Sequence, residues 1–311
     1  MDWNNLVYNG LGSATASIIS RIITHPIDTV KARLQATLQV DSSTKYKGTF
    51  DVLRRTIQTD GILALYGGFG AIVVGGTPGT MIYLCTYDLC KDYLNQNRWN
   101  LPNFSIHFLS GMIAETTACT VYVPVDVIKE RLQVQQNVPS ISFQYKGSYD
   151  ALKQILKSEG LRGIYKGYGA TLASFGPFSA LYFVLYEKSK SVAENYRIRT
   201  FTVSPQSWNV DSLPFHYVVV CSSSAGASAA WLTSPLDMAK LRLQIQRGSY
   251  HTSTPLYRNM IDCLIQTFKH EGLRGLWRGA GARVLHYAPA TCITMTCYET
   301  CRAYFASVIS I

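Results

Sequence analysis

The sequence predicts an all-α membrane protein: six transmembrane helices in three tandem two-helix repeats, with short amphipathic helices between them, closing a pseudo-threefold barrel. Three observations predict it. A motif around a proline returns three times at a period of about 100 residues. Apolar runs long enough to cross a bilayer flank each copy. Charged residues make up only 15% of the 311-residue chain, against roughly 25% in typical soluble domains, while 47% are hydrophobic.

The repeat is the firmest of these, and self-similarity at a fixed period outranks local propensity as a guide to architecture. "HPIDTVKARLQ" (His25 to Gln35) recurs as "VPVDVIKERLQ" (Val123 to Gln133) and "SPLDMAKLRLQ" (Ser234 to Gln244). A second anchor follows each: "TDGILALYGGFG" from Thr59, "SEGLRGIYKGYG" from Ser158 and "HEGLRGLWRGAG" from His270. A third closes each unit: "TYDLCK", "LYEKSK" and "CYETCR", whose acids Asp88, Glu187 and Glu299 each stand ten residues after Pro78, Pro177 and Pro289. The modules are 1–97, 98–197 and 208–311, together one domain.

Within each module the first apolar run is Leu6–Ile23, Phe104–Val123 or Tyr217–Thr233. All three are dotted with Gly, Ala and Ser, the texture of close helix contact in lipid. The second run is Tyr66–Cys85, Tyr165–Leu185 or Trp277–Cys297. Extended through its motif, each exceeds the roughly 20 residues a span needs. Between the two runs lie Lys-, Gly- and Ser-rich connectors. There the apolar period marks short amphipathic helices at Phe50–Thr59, Tyr149–Lys157 and Met260–Lys269. Six spans place both termini on one side and the basic connectors on the other.

Composition excludes several classes. The net charge of +10 comes from dispersed residues, which argues against a nucleic-acid partner and suits anionic headgroups or an anion-attracting cavity. The eight cysteines form no CxxC pair and no zinc spacing, and read as reduced packing residues. "MDWNNLVYNG" lacks a basic n-region, so no cleavable signal peptide is expected. No phosphate loop and no nucleophile–base set is present, so no enzyme and no bound metal is expected.

The anchors place charge where charge is expensive. Asp28/Lys31, Asp126/Lys129 and Asp237/Lys240 are offset by three, so acid and base share one helix face. Three such helices around a common axis join acid to base between neighbours: Asp28–Lys129, Asp126–Lys240 and Asp237–Lys31. Gln35, Gln133 and Gln244, one turn on, are placed to brace these pairs. Pro26, Pro124 and Pro235 remove a helix hydrogen bond and bend each helix toward the axis. At the far end Asp88/Lys91, Glu187/Lys190 and Glu299/Arg302 repeat the pattern, each after Tyr87, Tyr186 or Tyr298. The second ring is Asp88–Lys190, Glu187–Arg302 and Glu299–Lys91. Two rings of opposite charge suggest two gates that open in turn.

The triplicate PxDxxKxRxQ blocks, the [DE]G…[YW]xG turns and the closing [YF][DE]xx[KR] blocks resemble the mitochondrial carrier family across essentially the whole chain. The resemblance implies a multi-pass carrier of the mitochondrial inner membrane, a matrix and a cytoplasmic gate, and one central site for a small-molecule substrate. With it go a functional monomer and cardiolipin as a structural lipid. The first repeat departs in Asp60-Gly61 for Glu-Gly and in Gly67 where the others have Lys166 and Arg278. The family's contact points, carried over by distance to the closing acids, fall at Gly75-Gly76, Ser174-Phe175 and His286-Tyr287. None is a firm charge, which argues against adenine nucleotides and tricarboxylates.

Two further charges lie on the odd helices. Arg21 precedes Asp28 by seven residues and Glu115 precedes Asp126 by eleven, offsets that return to nearly the same face. Arg21 suits a carboxylate and Glu115 an amine, hence a zwitterionic amino-acid-like compound or cofactor; the alternative is that the two pair with each other or set the cavity potential. The Pro-Ala-Thr after the third contact point is similar in texture to the mitoferrin branch. Met81, Cys85, His286, Cys292 and Met295 are the soft or borderline donors a passing metal would use. A carrier-shaped scaffold that transports nothing is the rival of another class.

Overall fold

The computed structural model describes residues 3–36, 46, 48–96, 102–135, 145–201, 214–246, 257–287, 289–290 and 292–293. Its long helices are α1 (Trp3–Ala36), α4 (Thr77–Gln96), α5 (Asn103–Val134), α7 (Tyr168–Phe201) and α8 (Phe215–Leu232). Shorter ones are α2 (Thr49–Asp60), α3 (Phe69–Ala71), α6 (Ser148–Ile164), α9 (Ser234–Ile245) and α10 (Met260–Leu276). No strand occurs among the described residues. Three described stretches are long and apolar enough to cross a membrane: Ile62–Asn95, Ser105–Val134 and Tyr168–Tyr196.

The expected short helices are α2, α6 and α10, and they share one start. Asp51, Asp150 and Asp262 each stand in the first turn, where a negative charge meets the positive end of the helix dipole. Asp150 accepts from the Lys146 N–H at 2.9 Å and Asp262 from the Arg258 N–H at 2.9 Å. Asn259, the N-cap of α10, accepts from the Asp262 N–H at 2.9 Å. Gly160 and Gly272 turn the chain inside α6 and α10 with φ of 65° and 66°.

The chain forms two compact units. The larger comprises residues 25–177 and 233–282 and the smaller residues 1–24, 178–232 and 283–311. In the larger unit each short helix covers the odd helix of its own repeat. Val52 packs with Val30 and Leu34, Ala151 and Ile155 with Val127, Ile128 and Leu132, and Cys263 with Ala239 and Leu243. Burying Ile155 completely contributes about 1.5–3 kcal/mol. A separate cluster of Ala32, Ala36, Val134, Leu241 and Ile245 joins the ends of α1, α5 and α9. This cluster sets the common axis on which the motif charges meet.

Small residues let α4 lie directly on α5. A Cβ on Gly75 would come within 2.1 Å of Val125 Cγ2, and one on Gly79 within 2.5 Å of the Tyr122 ring. The Tyr122 hydroxyl then reaches Thr80 Oγ1 at 3.0 Å. Helices α1 and α5 run on through Pro26 and Pro124, whereas Pro235 stands in the first turn of α9 after Thr233. A proline in a first turn loses no helix hydrogen bond. The helix is thus interrupted at Thr233 beside the third motif proline, while α1 and α5 continue through the first two.

In the smaller unit Phe178, Tyr182 and Tyr186 stack along one face of α7 with centroids 6.2 and 6.1 Å apart, the spacing of successive helix turns. Ser20 Oγ donates to the Ala290 carbonyl at 3.3 Å.

Candidate functional site

The first motif brings six charges together in the larger unit. Lys129 on α5 pairs with Asp28 on α1. Lys240 on α9 pairs with Asp126 on α5 at 2.7 Å, and Lys31 on α1 with Asp237 on α9 at 2.7 Å. These are the neighbours the three-residue offset predicts. Their side chains are between 11% and 28% exposed. At that depth the attraction only partly offsets desolvation, so the ring is suited to breaking and re-forming.

The glutamines depart from expectation. Gln35 Nε2 donates to Asp237 Oδ2 at 3.4 Å, as a brace would. Gln133 instead donates to Thr29 Oγ1 at 3.0 Å, and Gln244 to Thr171 Oγ1 at 3.4 Å. The reason is local. Thr29 and Thr171 put hydroxyl acceptors beside these two amides, and buried amides take the nearest acceptor.

A second threefold arrangement lies below the ring, built from residues to which the sequence reading gave no role. Arg33 Nε donates to the Gln133 carbonyl at 3.0 Å, Arg131 Nε to the Gln244 carbonyl at 3.2 Å and Arg242 Nε to the Gln35 carbonyl at 3.1 Å. The other guanidinium nitrogens turn to the acid that opens each second anchor. Arg33 pairs with Asp60 at 2.6 Å, Arg131 is bidentate to Glu159 and Arg242 meets Glu271 at 2.9 Å. Each arginine is at most 2% exposed. Thr56 and Thr267 accept a further bond from Arg33 and Arg242, both at 2.9 Å. One planar fork thereby ties an odd helix to its own short helix and to the next repeat, a task for which the rigid guanidinium is suited.

The second motif ring is divided between the units. Tyr87, Asp88 and Lys91 lie on α4 in the larger one, and Tyr186, Glu187 and Lys190 on α7 in the smaller. Tyr298, Glu299 and Arg302 lie outside the described residues. The Tyr87 hydroxyl meets His107 Nδ1 at 2.6 Å, so its partner is an imidazole on α5 rather than a ring carboxylate.

The expected substrate contacts also fall in both units. Gly75 is half-buried, and a Cβ there would come within 2.1 Å of Val125 Cγ2. Gly76 is buried. Ser174 is buried, and Phe175 sets its edge on Tyr83 with centroids 6.5 Å apart. Glu115 is half-buried and accepts from Cys119 Sγ at 3.6 Å. In the smaller unit Arg21 is half-buried, and His286 sets its edge on Tyr287 at 5.9 Å. There Arg283, which the motif scan passed over, lies 3% exposed over the rings of Phe178 and Tyr287 at 5.5 and 5.7 Å. Its Nη1 donates to the Ala230 carbonyl at 3.1 Å. Pro78 lies in the first turn of α4, Pro177 within α7 and Pro289 in a described helical stretch.

The mitochondrial carrier protein family model matches residues 2–98, 101–197 and 211–308, one match for each repeat. The chain belongs to the mitochondrial carrier family. Among its relatives is mitochondrial substrate carrier family protein E of Dictyostelium discoideum, 34% identical with 96% of each chain covered. The mitochondrial aspartate-glutamate transporter of Saccharomyces cerevisiae is 31% identical over 97% of this chain, which spans 32% of that longer protein. Mitoferrin of D. discoideum is 29% identical over 93% of this carrier and 91% of its own length. The family is one of substrate transporters, and the ring of this carrier stands on the acid and the lysine that each repeat supplies.

Proposed function

We propose that this carrier moves a small zwitterionic, amino-acid-like compound or cofactor across the mitochondrial inner membrane by alternating access. Asp28, Lys31, Asp126, Lys129, Asp237 and Lys240 form the matrix gate. The acids and bases of the third anchor form the cytoplasmic gate. The three interlocked ion pairs at the ends of α1, α5 and α9 are the observation that carries this reading. Substrate binding offsets their rupture only through its differential affinity for the open and closed states. A gate that needs such help favours exchange over leak, and kinship to an electrogenic aspartate/glutamate antiporter of Homo sapiens supports antiport of amino-acid-like compounds.

Glu115 is the amine partner in this reading and Arg21 the carboxylate partner. Metal transport has kinship to mitoferrin in its favour. No group of three His, Cys, Asp or Glu side chains placed to hold a metal ion occurs among the described residues, and Met295 lies outside them. A structural role for cardiolipin is supported by the starts of α2 and α6. Both begin after a glycine with no side-chain cap, which leaves backbone N–H groups to a phosphate.

A thermal-shift screen of the purified chain against amino acids, keto acids, cofactors and divalent metals tests the reading, because a ligand of the folded state raises the melting temperature. A zwitterion is expected to stabilise the wild type, and Glu115→Gln and Arg21→Ala are each expected to abolish the shift. A shift produced by a divalent metal alone, or one that survives both substitutions, would overturn it.

A further inference from the structure

The matrix ring contains three lysines but four carboxyl groups. The fourth is Glu130, which follows Lys129 in the second motif where the first and third have Ala32 and Leu241. Those two equivalents are buried in the apolar cluster that joins the helix ends. Glu130 therefore places an acid in a position that is oily in the other repeats, and it is only 8% exposed.

Its oxygens are unequally served. Oε1 lies 3.3 Å from Lys129 Nζ, an ammonium that Asp28 already holds. Oε2 is buried and meets no donor. The charged groups that face Glu130 are Asp28 and Lys31 from α1, Asp126 and Lys129 from α5, and Lys240 from α9. Lys31 and Lys240 are each committed to an aspartate at 2.7 Å. Among the described residues, three ammoniums matched one to one with three aspartates leave the fourth carboxylate only a share of Lys129. A buried carboxylate without its own counter-charge is strongly disfavoured, and neutralisation by a proton removes the conflict.

We infer that Glu130 carries a proton while the matrix ring is closed and releases it when the ring opens, so that closure of this end takes up one proton. On opening, the O–H bond of Glu130 breaks, the proton passes to water, and Lys129, freed from Asp28, becomes the counter-ion of the new carboxylate. This inference rests on the gate reading above. The closed state binds one more proton than the open one, so acid favours closure and alkali favours opening. One proton changes the open-to-closed ratio by up to about tenfold per pH unit.

Infrared spectroscopy of the full chain in detergent, near neutral pH, tests this directly. A protonated carboxyl absorbs apart from carboxylates, and carboxyl-13C glutamate shifts the band of a glutamic acid while leaving aspartic acids in place. The expected result is a label-sensitive acid band that Glu130→Gln removes. Asp28→Asn should remove it too, since Lys129 is then free to hold Glu130 as a carboxylate. The isotope shift keeps the test decisive even if a variant fails to fold. Absence of a label-sensitive acid band, or its persistence in Asp28→Asn, would overturn the inference. As a second readout, the wild type should lose melting temperature more steeply than Glu130→Gln between about pH 6 and pH 8; parallel slopes would overturn the link to the closed state. Liposomes that exchange L-aspartate for L-glutamate, with no acid band from Glu130, would remove this inference and leave the carrier reading. A Glu130 acid band in a protein that exchanges no solute would do the reverse.

Discussion

Arg33 donates from Nε to the main-chain carbonyl of Gln133, 3.0 Å away and 100 residues along the chain. The same bond recurs from Arg131 to Gln244 and from Arg242 to Gln35. The three bonds close a cycle through the repeats. Each arginine also holds an acid of its own short helix, so the base of the ring is fixed while the lysine–aspartate pairs above it are free to exchange partners.

Removing an arginine from this cycle leaves an acid and a carbonyl without their donor, and breaking a buried pair costs about 3–5 kcal/mol. The cost should differ between repeats. Glu271 keeps Arg278 at 3.1 Å when Arg242 is lost, whereas the bidentate partner of Glu159 is Arg131. Arg131→Met is therefore expected to lower the melting temperature of the purified chain more than Arg242→Met. Equal losses would show that Arg278 contributes nothing.

The ring itself predicts reciprocity. Lys240→Asp alone faces Asp126 with a like charge and should open the matrix end, measured as leak of a trapped solute from liposomes. Adding Asp126→Lys restores an opposite pair across the same gap. The coupling between the two positions is expected at about 0.5–3 kcal/mol. A double variant that leaks as much as the single one would show that the pair does not close the ring.

How far the site was legible follows from what a helix face reveals. An acid and a base offset by three share a face, so the partners of Asp28, Asp126 and Asp237 follow from the motif alone. The arginine two residues beyond each lysine points elsewhere on the helix, and one helix does not show what lies there. A signal existed all the same: a base in every first anchor and an acid in every second, 27, 28 and 29 residues apart. The bonds of Gln133 and Gln244 to threonines were not legible, because Thr29 and Thr171 occupy unrelated motif positions.

Gly68 has φ of 76°, and a Cβ on it would lie 2.8 Å from the Cα of Lys129. The second repeat's helix is thus held against a turn of the first at the ring lysine. Gly160 has a similar φ of 65°, with nothing within 4 Å of such a Cβ. Gly160 has ψ of −160°, a region open almost to glycine alone, so Gly160→Ala should cost about 1–3 kcal/mol of strain and no clash. Gly68 lies in the left-handed helical region with ψ of 3°, where alanine costs about 1–2 kcal/mol, and the clash with backbone, which side-chain rotation cannot relieve, adds about 1–3 kcal/mol. Denaturant or thermal unfolding of Gly68→Ala reads this out, and a loss no larger than the strain alone, about 1–2 kcal/mol, would refute the close approach.

Asp150 and Asp262 respond to acid in a direction set by their bonds. Main-chain N–H groups of Lys146 and Arg258, followed by the amides of Gln154 and Gln266, hold both carboxyls below the usual aspartate range. A carboxyl depressed in the folded state contributes stability that is fully present above its unfolded value and is lost as the pH falls through the folded one. The starts of α6 and α10 should therefore be firm at neutral pH and loosen only in acid below the ordinary aspartate range. Amide hydrogen exchange at Lys146 and Arg258, corrected for intrinsic rates, reads this out. Protection is expected to fall as the pH drops through that window, and Asp150→Asn should remove the dependence at Lys146 while leaving it at Arg258. Protection that is flat across the window in the wild type would show that the two carboxylates do not hold the helix starts.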